Sequence, residues 1–413
     1  MDSMQAAAHT RTMTSTLMAA RTTPRLGHGA GFRVVAAAFL LALAFSTLPT
    51  PLYPLYQQRD GFPTVVITVV FAAYAVGVVA SIYLVGHVSD WVGRRRVALA
   101  AVLAEAVAAT VFLTWPDVPG LIIARFVGGV GIGALTATAT AHLAELRAVT
   151  HPGRDAGLFS SMVTMAGLGL GPVISALLAS SVTGPLSTPY AIFLVLFLIT
   201  AVAIKFVPET VERHESAVRY RPQRVSVPQH ARPVFWAAAG VAFAVNMFSG
   251  LVGALAPSLL RGSFHDPSLL VGGLVAMSVF AAAAGAQLLF ASQPLRRQLL
   301  IGLGALVLSL VAIPASVLAG NELLFAAGTV VGGAGMGLGF RVALARVAAV
   351  ATPELRGETL AGVFLAFYLG LALPVLLVGL ALTALPSLPV LVVFSIAQLG
   401  ILFWAGRRLF VAS

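Results

Sequence analysis

Glu105 and Arg125 are charged side chains that fall deep inside long apolar runs. Glu105 stands ten residues before Trp115 and Arg125 ten after it (115 − 105 = 125 − 115 = 10). If the two runs form a helical hairpin turning near Trp115 to Asp117, a rise of about 1.5 Å per residue puts both at one depth. A carboxylate near a guanidinium in a dry interior is either a static ion pair or a site that loads and releases a proton as its surroundings change. Other chemistry is missing from the inventory. There is no cysteine, which excludes disulfides, thiolate nucleophiles and Cys-based metal sites. No His-Glu metal spacing, Gly-x-Ser-x-Gly elbow or phosphate loop occurs, and the eight histidines fall at the ends of apolar runs or between them. The expectation is a protein that is not an enzyme and takes no cofactor and no metal.

The elements that must hold these residues follow from composition. The chain is 59% hydrophobic and 9% charged over 413 residues, where a soluble domain carries about 25% charged residues. So little charge cannot cover so much apolar surface in water, and lipid must solvate it. Spanning segments must be helices of roughly 20 apolar residues, because no open sheet satisfies its backbone in hydrocarbon. The chain offers spans near 33–56, 64–87, 96–115, 118–145, 156–180, 188–207, 234–260, 268–291, 298–318, 322–345, 357–384 and 387–406. The fold class expected is all-α, twelve transmembrane helices in two pseudo-symmetric six-helix bundles.

The net charge of +11 is distributed as topology. Arg94 to Arg96, Arg147, Arg154, Arg296, Arg297, Arg346, Arg356, Arg407 and Arg408 share one side with both termini, while the other side holds Arg59 and Arg261. The positive-inside rule therefore puts both termini in the cytoplasm, and the basic balance calls for anionic headgroups with no nucleic acid. Residues 1–32 read as a disordered cytoplasmic tail, 33–207 as the first bundle, 208–232 as a cytoplasmic linker, 233–408 as the second bundle and 409–413 as a short tail. Arginine outnumbers the lone Lys205, a bias that fits a GC-rich bacterial genome.

The halves repeat. Arg94-Arg95 matches Arg296-Arg297 (296 − 94 = 202), Val127-Gly-Gly matches Val331-Gly-Gly (331 − 127 = 204), Pro172 matches Pro374 (374 − 172 = 202) and Pro54 matches Pro257 (257 − 54 = 203). Four matches at nearly one offset indicate a duplication, and duplicated bundles in one orientation build transporters with a site between the copies near the midplane.

Between spans two and three the chain reads Gly86-His-Val-Ser-Asp90-Trp-Val-Gly93-Arg94-Arg95-Arg96. This resembles the signature loop of the major facilitator superfamily. The resemblance implies that Asp90 docks at the start of span eleven, near Gly357, as part of an inner gate; Trp91 departs from the family's usual basic residue. A carboxylate suits a helix N-terminus, where free N–H groups and the macrodipole favour an anion. The second half keeps Arg296-Arg297 but has Ser292 at the acid position, so the latch is one-sided. Arg125-Phe-Val-Gly-Gly129 is similar to the family's second motif, and Arg125 with Glu105 are the proton-coupling candidates. Gly167-Leu-Gly-Leu-Gly171-Pro172 resembles the motif of family members that run as antiporters, with Ser175-Ala176 where a glycine pair is usual.

By the same resemblance, spans one, four, seven and ten line the cavity. The polar residues there are few, Ser46, Thr47, Thr136, Thr138, Asn246 and Ser249, with Gln287 and Tyr368 on flanking spans. Such a lining suits a lipophilic or amphipathic ligand recognised mainly by shape. Tyr53 and Tyr56 are expected at the membrane interface as an aromatic belt. The function expected is a monomeric, proton-coupled antiporter in the cytoplasmic membrane, exporting small amphipathic molecules. The alternatives are a symporter importing a metabolite and a transporter-like sensor or assembly partner.

Overall fold

A computed structural model describes residues 26–150, 156–211, 220–352 and 355–411. These residues form helices joined by short turns within each half and by a longer linker between the halves, with no strand among them. The long helices are α1 (His28–Thr47), α2 (Thr64–Val85), α3 (Arg94–Thr114), α4 (Val118–Thr150), α5 (Ala156–Ser181) and α6 (Thr188–Ile204) in the first half. The second half has α7 (Arg232–Ser263), α8 (Leu269–Leu289), α9 (Leu295–Ala319), α10 (Glu322–Val350), α11 (Arg356–Ala381) and α12 (Ser387–Val411). Among the described residues eleven candidate spans are long and apolar enough to cross a membrane, and α6 is a shorter apolar helix of 17 residues.

Two boundaries differ from expectation. α1 starts at His28, within the stretch read as tail, and α12 runs to Val411, into the segment read as a short closing tail. Residues 1–25 of the N-terminal tail and 212–219 of the linker lie outside the described residues. α1 ends at Thr47 because Pro49 and Pro51 cannot donate to the preceding turn. A 3-10 turn (Thr50–Leu52) and a short helix (Tyr53–Asp60) then carry the chain to the far side, the end opposite the linker.

The duplication shows in the packing. Gly167 of α5 lies against Leu40 and Leu43 of α1, and Gly370 of α11 lies against Phe243 of α7 (370 − 167 = 243 − 40 = 203). Gly129 of α4 meets the Tyr74 backbone of α2, and Gly333 of α10 meets the Val279 backbone of α8 (333 − 129 = 204; 279 − 74 = 205). A side chain at either pair would collide with backbone, so glycine sets the crossing distance. Between the halves, α5 packs on α8 and α2 on α11. On the far side, the 3-10 turn and short helix after α1 touch α7, and the 3-10 turn also touches α8. The space enclosed by these contacts is capped on the far side.

Candidate functional site

That space is a central cavity of about 100 Å³ lined from α1, α2, α4, α5, α7, α8, α10 and α11. The lining is largely apolar and includes Phe71, Tyr74, Phe280, Phe340, Phe367 and Met336. Arg125 is the one charged residue in the lining among the described residues. It stands seven residues into α4 (125 − 118 = 7), about 10 Å from the far-side end of the helix.

Arg125 is 4% exposed. Its Nη1 donates to Ser46 O at 2.5 Å, a carbonyl in the last turn of α1 that has no helical partner. The guanidinium carbon lies 4.4 Å from the Tyr74 ring centre and 5.7 Å from that of Phe71, so two π-faces stabilise the cation. Nε is buried without a partner. Glu105, 1% exposed on α3, is buried with neither oxygen hydrogen-bonded. No ion pair joins Glu105 to Arg125, but both line one void of about 10 Å³ with Ser46, Tyr74 and Gly128. A void of roughly 10–15 Å³ holds one water. The equal depth read from the hairpin is thus realised as a shared void. A methyl at Gly131 would stand 2.8 Å from Glu105 Oε1, so glycine is what gives the carboxylate its room.

The polar candidates divide. Thr47 Oγ1 donates to Leu168 O of α5 at 2.9 Å, and Asn246 Nδ2 to Phe367 O of α11 at 2.8 Å. Gln287 donates to Gly337 O at 3.1 Å and accepts from Ser161 Oγ at 3.0 Å, the latter across the halves. Ser46 and Tyr368 also line the cavity. Thr136 does not; its Oγ1 turns back to Ile132 O at 2.7 Å, the usual sink for a hydroxyl within a helix. Tyr53 and Tyr56 are 2% and 0% exposed, packed in the far-side seal instead of an interfacial belt. Position after a span end does not reveal that the chain turns inward there.

The signature loop is a clamp. Gly93 has φ +110°, a conformation that favours glycine, and starts α3. Arg94 pairs with Asp90 at 2.5 Å and with Glu145 of α4 at 3.1 Å. Glu209 accepts from Arg94 N at 2.8 Å and from Arg95 N at 3.3 Å, capping α3 from the start of the linker. Thr210 Oγ1 donates to Glu145, and His142 contacts Pro208 O at 3.1 Å. Arg95 Nη1 donates to Lys205 O at 3.2 Å, while Arg96 is exposed. Asp90 does not reach α11. Its nearest cation is four residues away, and Gln223 of the linker fills the gap between Gly86 and Gly357. Gln223 N donates to Tyr83 O at 2.8 Å and Thr359 Oγ1 of α11 to Ser226 O at 2.8 Å, so this stretch of linker bridges α2 and α11. Nothing in the spacing of the loop announces Glu209 or Gln223.

In α5, Gly171 meets Ala44 O and Thr47 of α1, while the Pro172 carbonyl and Ala176 face Gly273 of α8. The motif thus seals two interfaces, one of them between the halves.

Two matched bundles around a central cavity define a polytopic membrane transporter. The family model described as Major Facilitator Superfamily matches residues 34–373, and the chain belongs to that superfamily. Among solved structures it resembles the human organic anion transporter MFSD10 (TETRAN), with a TM-score of 0.63 and 19% identity over 93% of this chain and 100% of that one. It also resembles a bacterial homologue of the human lysosomal transporter Spinster, in an inward-facing and unoccupied conformation, with a TM-score of 0.66 and 13% identity over 93% and 96%. At these identities the likeness is one of fold. A curated relative, the arabinose-proton symporter of Bacillus subtilis (strain 168), is 36% identical over 76 residues, which is 18% of this chain and 16% of that protein's length.

Proposed function

We propose that this chain is a proton-coupled secondary transporter for small amphipathic molecules, working by alternating access, with Glu105 as the proton carrier. The observation that carries this reading is the void shared by Glu105 and Arg125. An unpartnered buried carboxylate is stable when protonated, and a rearranged Arg125 or an incoming water stabilises the carboxylate instead. Arg125 also faces the central cavity, so one guanidinium touches both the proton site and the ligand site. Glu105→Gln fixes the neutral form; if the variant still drives uphill flux from a pH gradient, the reading is wrong.

Both termini are cytoplasmic in this reading, by the charge asymmetry. Export by antiport is supported by the Gly167, Gly171 and Pro172 seal, which limits leak between α5 and its neighbours. Import by symport is the second reading, favoured by the short match to a proton symporter and by a cavity whose charge is positive. Everted vesicles separate them: uptake of a substrate on acidifying the lumen supports export, and the opposite dependence supports import.

A further inference from the structure

We propose that the cavity selects an amphipathic organic anion, its charged group paired with Arg125 and its apolar body held among Phe280, Phe340 and Phe367. The proposal rests on the transport reading above, and of its two directions it favours import by symport.

The charge inventory of the cavity is lopsided. No carboxylate lines it among the described residues, and Arg125 is its one cation. Nη1 is held by a neutral carbonyl, Nε is buried without a partner, and no protein acceptor meets Nη2 among the described residues. A guanidinium offers a fork of five donors that matches a carboxylate or sulfonate, and it is incompletely used here. The other polar groups of the lining are uncharged. The side-chain amides of Asn246 and Gln287 already donate to Phe367 O and Gly337 O. A lipophilic cation would enter a low-dielectric site beside a like charge, with no counter-ion and with the Phe71 and Tyr74 faces already taken by Arg125.

The same geometry links the ligand to the proton. Glu105 shares the void with Arg125 and competes with an anion for that charge. An anion on Arg125 therefore favours protonated Glu105, and by reciprocity protonation favours the anion. Among the described residues, the titratable groups within electrostatic reach of this pair are Tyr53, Tyr74 from α2 and Tyr190 from α6, with no histidine or second carboxylate. Proton and anion occupy the site together, as a symporter requires.

The test uses the purified full-length chain and three probes of permanent or absent charge: naphthalene-1-sulfonate, 1-naphthamide and 1-naphthyltrimethylammonium. Equilibrium binding at pH 6 and pH 8 is measured for the wild type, Arg125→Gln and Glu105→Gln, with monodispersity checked for each. The expected result is sulfonate binding at least about tenfold tighter than that of the ammonium probe, strengthening on acidification. Arg125→Gln should lose the preference, and Glu105→Gln should bind the sulfonate at pH 8 as tightly as the wild type does at pH 6. Equal or tighter binding of the ammonium or the amide, or no sulfonate binding at all, overturns the proposal. Should Arg125→Gln fail to fold, the Glu105→Gln comparison and the three-probe ranking still decide it. If Glu105→Gln abolishes gradient-driven flux while the ammonium probe binds best, the coupling reading stands and the anion proposal falls. If the anion preference holds but flux ignores the gradient, the coupling reading falls alone.

Discussion

Replacing Glu209 by Ala removes the two hydrogen bonds that its carboxylate accepts from Arg94 N and Arg95 N, at 2.8 and 3.3 Å. These are the first amides of α3, which lack helical partners, and the carboxylate also faces the positive end of the helix dipole. An N-cap is worth about 0.5–2 kcal/mol and the dipole term about 0.3–1 kcal/mol. The overlap of the two effects gives an expected loss of about 1–2 kcal/mol for opening the first turn of α3, a factor of about 5–30 in the opening equilibrium. Hydrogen exchange on the detergent-solubilised chain reads this directly: amides over residues 94–97 should exchange about 5–30 times faster in Glu209→Ala. Amides in the middle of α9, which Glu209 does not touch, provide the control. An increase below about twofold at residues 94–97 would show that the linker does not hold α3, and the clamp would be discarded.

Three further outcomes follow from the packing and the charge inventory. Gly129→Ala should destabilise the fold by about 1–3 kcal/mol in thermal unfolding, because the added methyl meets the Tyr74 carbonyl, which is backbone and cannot move aside. Gly285→Ala, where the methyl enters open space within α8, should be neutral or stabilise by up to about 1 kcal/mol; equal effects of the two would refute the close-crossing argument. Asn246→Asp puts a carboxylate into a cavity that otherwise lacks one, and should raise binding of 1-naphthyltrimethylammonium while lowering that of naphthalene-1-sulfonate; unchanged preference would mean the probes bind elsewhere.

The number and order of spans were legible because lipid demands long apolar helices, and the duplication was legible because glycines at crossings recur at one offset, as at Gly129 and Gly333. The pairing of depth between Glu105 and Arg125 came from counting along a hairpin. Helix rotation was not legible. When a helix is apolar on every side, residue type does not tell the lipid face from the cavity face, so Phe280, Phe340 and Phe367 carried no signal and Thr136 was placed wrongly. The burial of Tyr53 and Tyr56 escaped for a related reason, since the proline-rich turn after α1 redirects the chain in a way that composition does not encode. Asp90 was assigned to α11 by resemblance; the local i, i+4 pairing with Arg94 and the intervening Gln223 set its surroundings instead.

Proton coupling in the proposed mechanism runs through Glu105. It is the one fully buried carboxylate among the described residues, and the proposed mechanism therefore assigns it one proton per cycle. One pH unit is then worth about 1.4 kcal/mol, and flux at equilibrium sets a substrate ratio of at most about tenfold. The measurement is the steady-state ratio of naphthalene-1-sulfonate across proteoliposomes holding a one-unit pH gradient, in the wild type and in Glu105→Gln. The expected ratio approaches tenfold and collapses with a protonophore in the wild type, and stays near one in Glu105→Gln with exchange at equal concentrations preserved. A Glu105→Gln ratio equal to that of the wild type would contradict it.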